Sequence, residues 1–205
     1  MPPPPARANT VFLNIPYDNR FRRLYVAYLV GLIYLGLKPR VTLGLPGGPR
    51  RLDRILGLIA GCRYSIHDLS RVQLDRMPPA TPRFNMPFEL GLVVCWAQLR
   101  PAQHEWFLFE TLPYRAAKSI SDLNGTDPHI HDGTAEGVMR ELCNAFVRSH
   151  ARPAVPQMLR ACRTVTRQLP TILQAAGART VFEARVFADL CLAAGIAADQ
   201  LRTRA

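Results

Sequence analysis

Glu89 stands in the tetrad Phe88-Glu89-Leu90-Gly91, downstream of Tyr64-Ser65-Ile66-His67-Asp68-Leu69-Ser70, a run with the composition of a strand. A carboxylate near a helix start either caps the helix or complements its dipole. Asn85 is the expected N-cap and Pro87 suits the first turn. Glu89 then falls four residues after the cap, where a capping box uses three. The other use of such a carboxylate is chemical. Asp68 closes the strand-like run and brings a second acid to the same rim of a sheet. Paired carboxylates in a cleft break glycosidic bonds.

Cleaving an N-glycosidic bond builds positive charge on the sugar and negative charge on the departing base. A fixed carboxylate under the sugar stabilises the first, covalently or electrostatically. Glu89 is the candidate for that role, with Asp68 or Tyr17 near the leaving base. Asp68 has a plainer reading as a turn residue bonding local backbone, and Ser70 reads as a turn hydroxyl. His67 and Asp68 are adjacent on a strand, so they point to opposite faces and do not cooperate. His129 and His131 share one strand face and invite a metal reading, but two imidazoles without further spaced ligands fit a polar strand edge better. Gly44-Leu45-Pro46-Gly47-Gly48 lacks the Gly-Lys-Ser/Thr ending of a phosphate loop.

The elements that must hold these residues alternate. Thr10–Ile15, Pro39–Leu45, Cys62–Leu69, Glu105–Phe109 and Pro128–His131 read as strands. Helices are expected over Arg20–Leu35, Leu52–Gly61, Met86–Leu99, Tyr114–Leu123 and Thr134–Ser149, and residues 71–83 as a Pro- and Arg-rich loop. Five alternations predict a parallel sheet covered by helices, with ligands at the strand C-termini. Beyond Ala151 the chain is rich in Ala, Leu and Arg, and Pro170 and Gly177 are expected to divide it into about three helices. The domain division is a Pro-rich arm over 1–9, an α/β domain over 10–149 and a helical appendage over 150–205.

Composition limits the function classes. A hydrophobic fraction of 48% excludes disorder along most of the 205 residues. Met1-Pro2-Pro3-Pro4-Pro5 has no apolar core of the kind a signal peptide needs. The apolar run from Leu24 to Leu37 is short for a bilayer span, so a buried helix or a homodimer face is expected instead of a membrane role. Tyr25, Tyr28 and Tyr34 on it belong to core or interface. Five widely spaced cysteines without a CxxC pair suggest reduced thiols in a cytoplasmic protein. The net charge of +11 points to acidic partners, phosphorylated small molecules or nucleic acid. It is spread along the chain, so nucleic acid is admitted but not required.

Three motifs occur in order: Val11-Phe12-Leu13-Asn14-Ile15-Pro16-Tyr17-Asp18, Ser65-Ile66-His67-Asp68-Leu69-Ser70 and Asn85-Met86-Pro87-Phe88-Glu89-Leu90-Gly91. Together they resemble the nucleoside 2-deoxyribosyltransferase-like superfamily, whose fold neighbours include Toll/interleukin-1 receptor (TIR) domains, over roughly residues 10–149. The resemblance implies a Rossmann/flavodoxin-like fold with a five-stranded, mainly parallel sheet. It also implies that Glu89 attacks or stabilises the anomeric carbon and that Asp68 contacts the base or assists its departure. Asn14, Tyr17 and Asp18 would line the same pocket. Deoxyribosyltransferases carry an acidic, glycine-bearing stretch before the Phe-Glu pair, where this chain has Thr81-Pro82-Arg83-Phe84-Asn85-Met86-Pro87. Arg83 and Arg71 favour a phosphate-bearing substrate, with Asn85 beside them.

The expectation is an N-glycosidase-like enzyme that cleaves or transfers the base of a nucleotide, with an NAD-type dinucleotide the most attractive candidate substrate among nucleotides and no cofactor of its own. TIR-like relatives that cleave NAD act in bacterial defence, a role the resemblance extends to this chain. The competing reading is a catalytically inactive nucleotide-binding module whose helical tail reports to a partner.

Overall fold

Short β-branched and aromatic runs form the strands, and the segments between them coil into helices. The computed structural model describes residues 7–44, 51–72, 74–75, 78–147 and 153–203. Most of the expected N-terminal arm, the turn Pro46–Pro49, Leu45 and the final residues of the helix expected to reach Ser149 lie outside that set.

In chain order the elements are β1 (Arg7–Asn14), α1 (Arg22–Tyr34), β2 (Lys38–Arg40), α2 (Arg51–Gly61), β3 (Cys62–Asp68), β4 (Leu74–Asp75) and β5 (Thr81–Pro82). They continue with α3 (Asn85–Leu99), β6 (Glu105–Glu110), α4 (Arg115–Ser119), β7 (His129–Ile130), α5 (Ala135–Ala145), α6 (Val155–Ala175) and α7 (Ala184–Arg202). Five strands form one all-parallel sheet in the order β2-β1-β3-β6-β7, the α/β arrangement expected of a Rossmann/flavodoxin-like fold. The chain steps outward from β1 to β2 and returns to β3 on the other side of β1. The ends of β1 and β3 therefore flank the point where strand order reverses, and such points are where open α/β sheets bind ligands. Asn14 ends β1 and Asp68 ends β3.

Several local expectations change. The strand expected over Pro39–Leu45 is limited to Lys38–Arg40, and Thr42–Gly44 coils into a 3-10 turn. The segment expected as a loop after Ser70 contains a small antiparallel hairpin, in which Leu74 pairs with Pro82 and Asp75 with Thr81. Proline tolerates this because each of its strands is an edge. Pro170 does not divide the tail, which forms two long helices, with Pro170 exposed inside α6. Its missing N–H removes one helical bond, while Met158, Ala161, Cys162, Val165 and Leu169 keep a continuous buried stripe on the same helix.

The chain falls into two compact units. One comprises Met1–Pro16 with Arg40–Asp132, the other Tyr17–Pro39 with Gly133–Ala205. The composition change near residue 150 is therefore not where the units separate, since α1 and α5 belong with α6 and α7.

In the first unit, Phe12, Ile55, Ile59, Cys62 and Val93 form one core cluster, flanked by Trp96 and Trp106. Leu69, Met86, Leu90, Leu108 and Ala116 form another. Helix α3 contributes to both, so its position over the sheet is fixed at several points along its length. In the second unit, α1 is buried almost all round, which accounts for its apolar sequence. A Cβ at Gly31 would lie 2.5 Å from Leu142 Cδ1 and 2.9 Å from Met139 Sδ, so α5 approaches α1 closely there. Arg202 closes α7 on α1, its guanidinium 5.2 Å from the Tyr34 ring centre. Among the described residues, no helix is long and apolar enough to cross a membrane.

Candidate functional site

Asn14 is 5% exposed at the end of β1, and its side-chain amide has two tasks. Nδ2 donates to the backbone carbonyl of Met86 at 2.9 Å and lies 3.0 Å from Nδ1 of His67. The first bond ties the end of β1 to the first turn of α3. The second follows from register: Asn14 is opposite His67 on the neighbouring strand, and paired residues share a face.

Glu89 lies one helical turn beyond Met86. Phe84 occupies the N-cap position without a side-chain cap, so the expected cap at Asn85 gives way to Asn85 as the first helical residue, with its side chain exposed. Glu89 is then the fifth residue of α3, beyond reach of any capping role. Nor is it a surface acid, for it retains only 6% of its accessible surface. Met86, Glu89, Leu90 and Val93 make up the buried stripe of the helix. Among the described residues the Glu89 carboxyl has no hydrogen-bond or ion-pair partner. Burial pushes its pKa up from 4.5 to about 7, against the lowering effect of the Arg51 charge. A carboxyl group left unmatched inside a fold costs stability, and such groups concentrate at functional sites.

Asp68 shares this rim but leaves β3 on the face opposite His67. Its Oδ1 accepts from the Ser70 backbone N–H at 2.9 Å, and its Oδ2 lies 3.1 Å from Nε2 of His131, both side chains being wholly buried. Asp68 and Glu89 therefore occupy one end of the sheet without sharing a hydrogen-bond network. The histidine beside Asp68 in space is His131, brought there by β7, and not its sequence neighbour His67.

A third acid completes the rim. Glu110 ends β6, is 1% exposed and pairs with Arg115 through both carboxylate oxygens. Arg115 also donates to the Ser70 carbonyl at 2.8 Å, so it spans the ends of β3 and β6. The chain reverses into α4 through Tyr114, which holds φ of 64° while 84% exposed. An aromatic residue rarely adopts that backbone region, and here the turn directs Arg115 back to Glu110. Sequence reading passed over this pair, although an acid ending a buried strand was the signal already used for Asp68.

The remaining predicted residues are dispersed. The Arg83 N–H donates to the Val72 carbonyl at 3.4 Å, so half-buried Arg71 and Arg83 both lie at the base of the hairpin that feeds α3. Tyr17 belongs to the second unit, where its ring packs on Tyr25 and Phe182 with centroids at 6.2 and 5.8 Å. Asp18 accepts from the backbone N–H groups of Arg20 and Phe21 and turns the chain into α1. His129 stacks on Phe109 at 4.9 Å. Among the described residues, no cluster of three metal-ligating side chains exists. Comparison with protein-family models and with curated proteins returns no match.

Proposed function

We propose that the protein is an N-glycosidase-like enzyme that cleaves or transfers the base of a nucleotide, with an NAD-type dinucleotide as its substrate class. The observation that carries this reading is Glu89: a buried carboxyl with no hydrogen-bond or ion-pair partner among the described residues, one turn from the Asn14–Met86 bond at the strand-order reversal. As a carboxylate it stabilises positive charge developing at the anomeric carbon, or attacks that carbon. In hydrolysis the bond from that carbon to the base nitrogen breaks, and its electron pair stays with the base. A new bond forms to water oxygen, and one water proton is released. A pyridinium base such as nicotinamide departs neutral and needs no acid. For other bases, no second acid free to protonate the leaving group stands beside Glu89 among the described residues, because Asp68 and Glu110 are engaged. In this reading phosphate binding is assigned to Arg71 and Arg83, whose guanidinium groups match phosphate geometry.

Incubating the purified full chain with NAD and common nucleotides, and separating the products by chromatography, tests the reading. Released base from the parent protein, lost in Glu89→Gln, is the expected result. Binding without release from any nucleotide would assign the chain to the catalytically inactive sensory class instead.

A further inference from the structure

Beneath Asn14 runs a chain of buried polar groups whose proton positions are fixed from both ends. At one end, the Met86 carbonyl is only an acceptor, so the Asn14 atom 2.9 Å from it must be the amide nitrogen. The second hydrogen on that nitrogen points to His67 Nδ1 at 3.0 Å, which must then be unprotonated. His67 therefore carries its proton on Nε2, 3.1 Å from Ser65 Oγ. At the other end, His104 Nδ1 lies 2.9 Å from the Cys62 carbonyl and must donate to it. His104 Nε2 is then an acceptor for the Ser65 hydroxyl at 3.0 Å. Both derivations give the same answer at Ser65, whose oxygen accepts from His67 and whose proton goes to His104.

Burial keeps both rings neutral, lowering the His67 pKa to about 3 and that of His104 as well. The four side chains are each 5% exposed or less. Both Asn14 amide hydrogens are thus committed, and its Oδ1 accepts nothing from any described residue.

We propose that Asn14 is held as an acceptor toward the ligand, that its Oδ1 takes a hydrogen bond from a sugar hydroxyl, and that Ser65, His67 and His104 are positioning residues enforcing that polarity. The inference rests on the nucleotide reading of the site and adds a specificity to it. A flipped Asn14 would set its oxygen against the Met86 carbonyl and against an unprotonated nitrogen, so the chain disfavours the donor orientation twice. A ribonucleotide satisfies Oδ1, and a sugar lacking the relevant hydroxyl leaves it unmatched, which weakens binding by roughly ten- to a hundredfold.

The test uses nitrogen-15-labelled full chain in two measurements. Imidazole nitrogen NMR should show neutral His67 protonated on Nε2 and neutral His104 protonated on Nδ1. The opposite tautomers, or a His67 that titrates near its ordinary value, would overturn the relay. The second measurement titrates AMP and nicotinamide mononucleotide against their 2′-deoxy and 3′-deoxy forms. Weaker binding of one deoxy series supports the hydroxyl contact. In Ser65→Ala that preference should shrink about tenfold while affinity for the deoxy form holds, a split that general loosening of the fold would not produce. Equal binding of all forms overturns the contact and leaves the nucleotide reading standing. Binding of none overturns both. Should Ser65→Ala fail to fold, the tautomers and the deoxy series of the parent protein still decide.

Discussion

Asn14 donates through Nδ2 to the Met86 carbonyl at 2.9 Å, and this bond fastens the end of β1 to the first turn of α3. A helix that arrives over a strand end is ordinarily held by apolar contacts alone, which permit sliding by fractions of a turn. Here a directed bond sets the height of α3 above β1. Glu89, one turn further along, inherits that placement. A carboxyl group whose position must be held closely is what glycosidic chemistry requires.

The buried state of Glu89 has a thermodynamic signature. Its folded pKa of about 7 lies above its ordinary 4.5, so between those values the folded protein holds a proton that the unfolded chain has released. Stability therefore falls as pH rises through that window, with no penalty below about 4.5 and the full penalty above about 7. The size is about 3 kcal/mol. Glu89→Gln abolishes the dependence. Denaturant unfolding should find the variant and parent similarly placed at pH 5, with the variant gaining 2–3 kcal/mol relative to the parent at pH 8, an order-of-magnitude expectation. Parallel curves across that range would show that Glu89 is not desolvated.

The Glu110–Arg115 pair should behave as a buried ion pair. Arg115→Ala strands a carboxylate that is 1% exposed and removes the donor to the Ser70 carbonyl. A cost of about 3–5 kcal/mol is expected. Replacing both partners together, as Glu110→Leu with Arg115→Met, should recover most of that loss, because the penalty lies in the unpaired charge. Urea unfolding of the three proteins reads this directly. A double variant no better than Arg115→Ala would mean the pair holds the rim in shape.

The strands were legible where β-branched and aromatic residues cluster, as in Val11-Phe12-Leu13 and Trp106-Phe107-Leu108-Phe109. The hairpin after Ser70 was not, since proline and arginine carry no alternating pattern. Asn14 and Glu89 could be singled out by residue type and position. The partners of the rim acids could not. His131 reaches Asp68, and His104 reaches Ser65, only through strand register: Tyr64 pairs with Glu105, and Phe109 with His129. Register is a property of two strands at once. The alternation Ser65, His67 did hint at a polar stripe on a buried strand face, one that needed partners. Pro170 misled because a strong apolar stripe outweighs one lost helical bond.

Gly31 tests the packing of the second unit independently. Its missing side chain lets Leu142 and Met139 of α5 press against α1. In Gly31→Ala the new methyl must displace both, although alanine favours the helix itself. Overpacking should win, at about 1–3 kcal/mol of lost stability in thermal or denaturant unfolding. A stabilised variant would mean that Leu142 and Met139 have room to rotate away.

The last expectation joins the buried carboxyl to the proposed reaction. If Glu89 acts as the anion facing the anomeric carbon, only its ionised form is productive. Near neutrality both forms are populated, because burial has brought the pKa to about 7. Turnover of a base-releasing nucleotide should therefore rise with pH and level off above about 8, with the midpoint near 7. Were Glu89 instead an acid protonating the departing base, the same group would give a falling limb at the same place. Glu89→Gln decides which limb belongs to it: turnover should drop by roughly a hundredfold or more, and what remains should lose the step near 7. Glu89→Asp keeps the charge but withdraws it by one methylene, so it should retain the rising limb at reduced rate. A profile in which the limb survives in Glu89→Gln would assign it to another group and remove Glu89 from the chemistry.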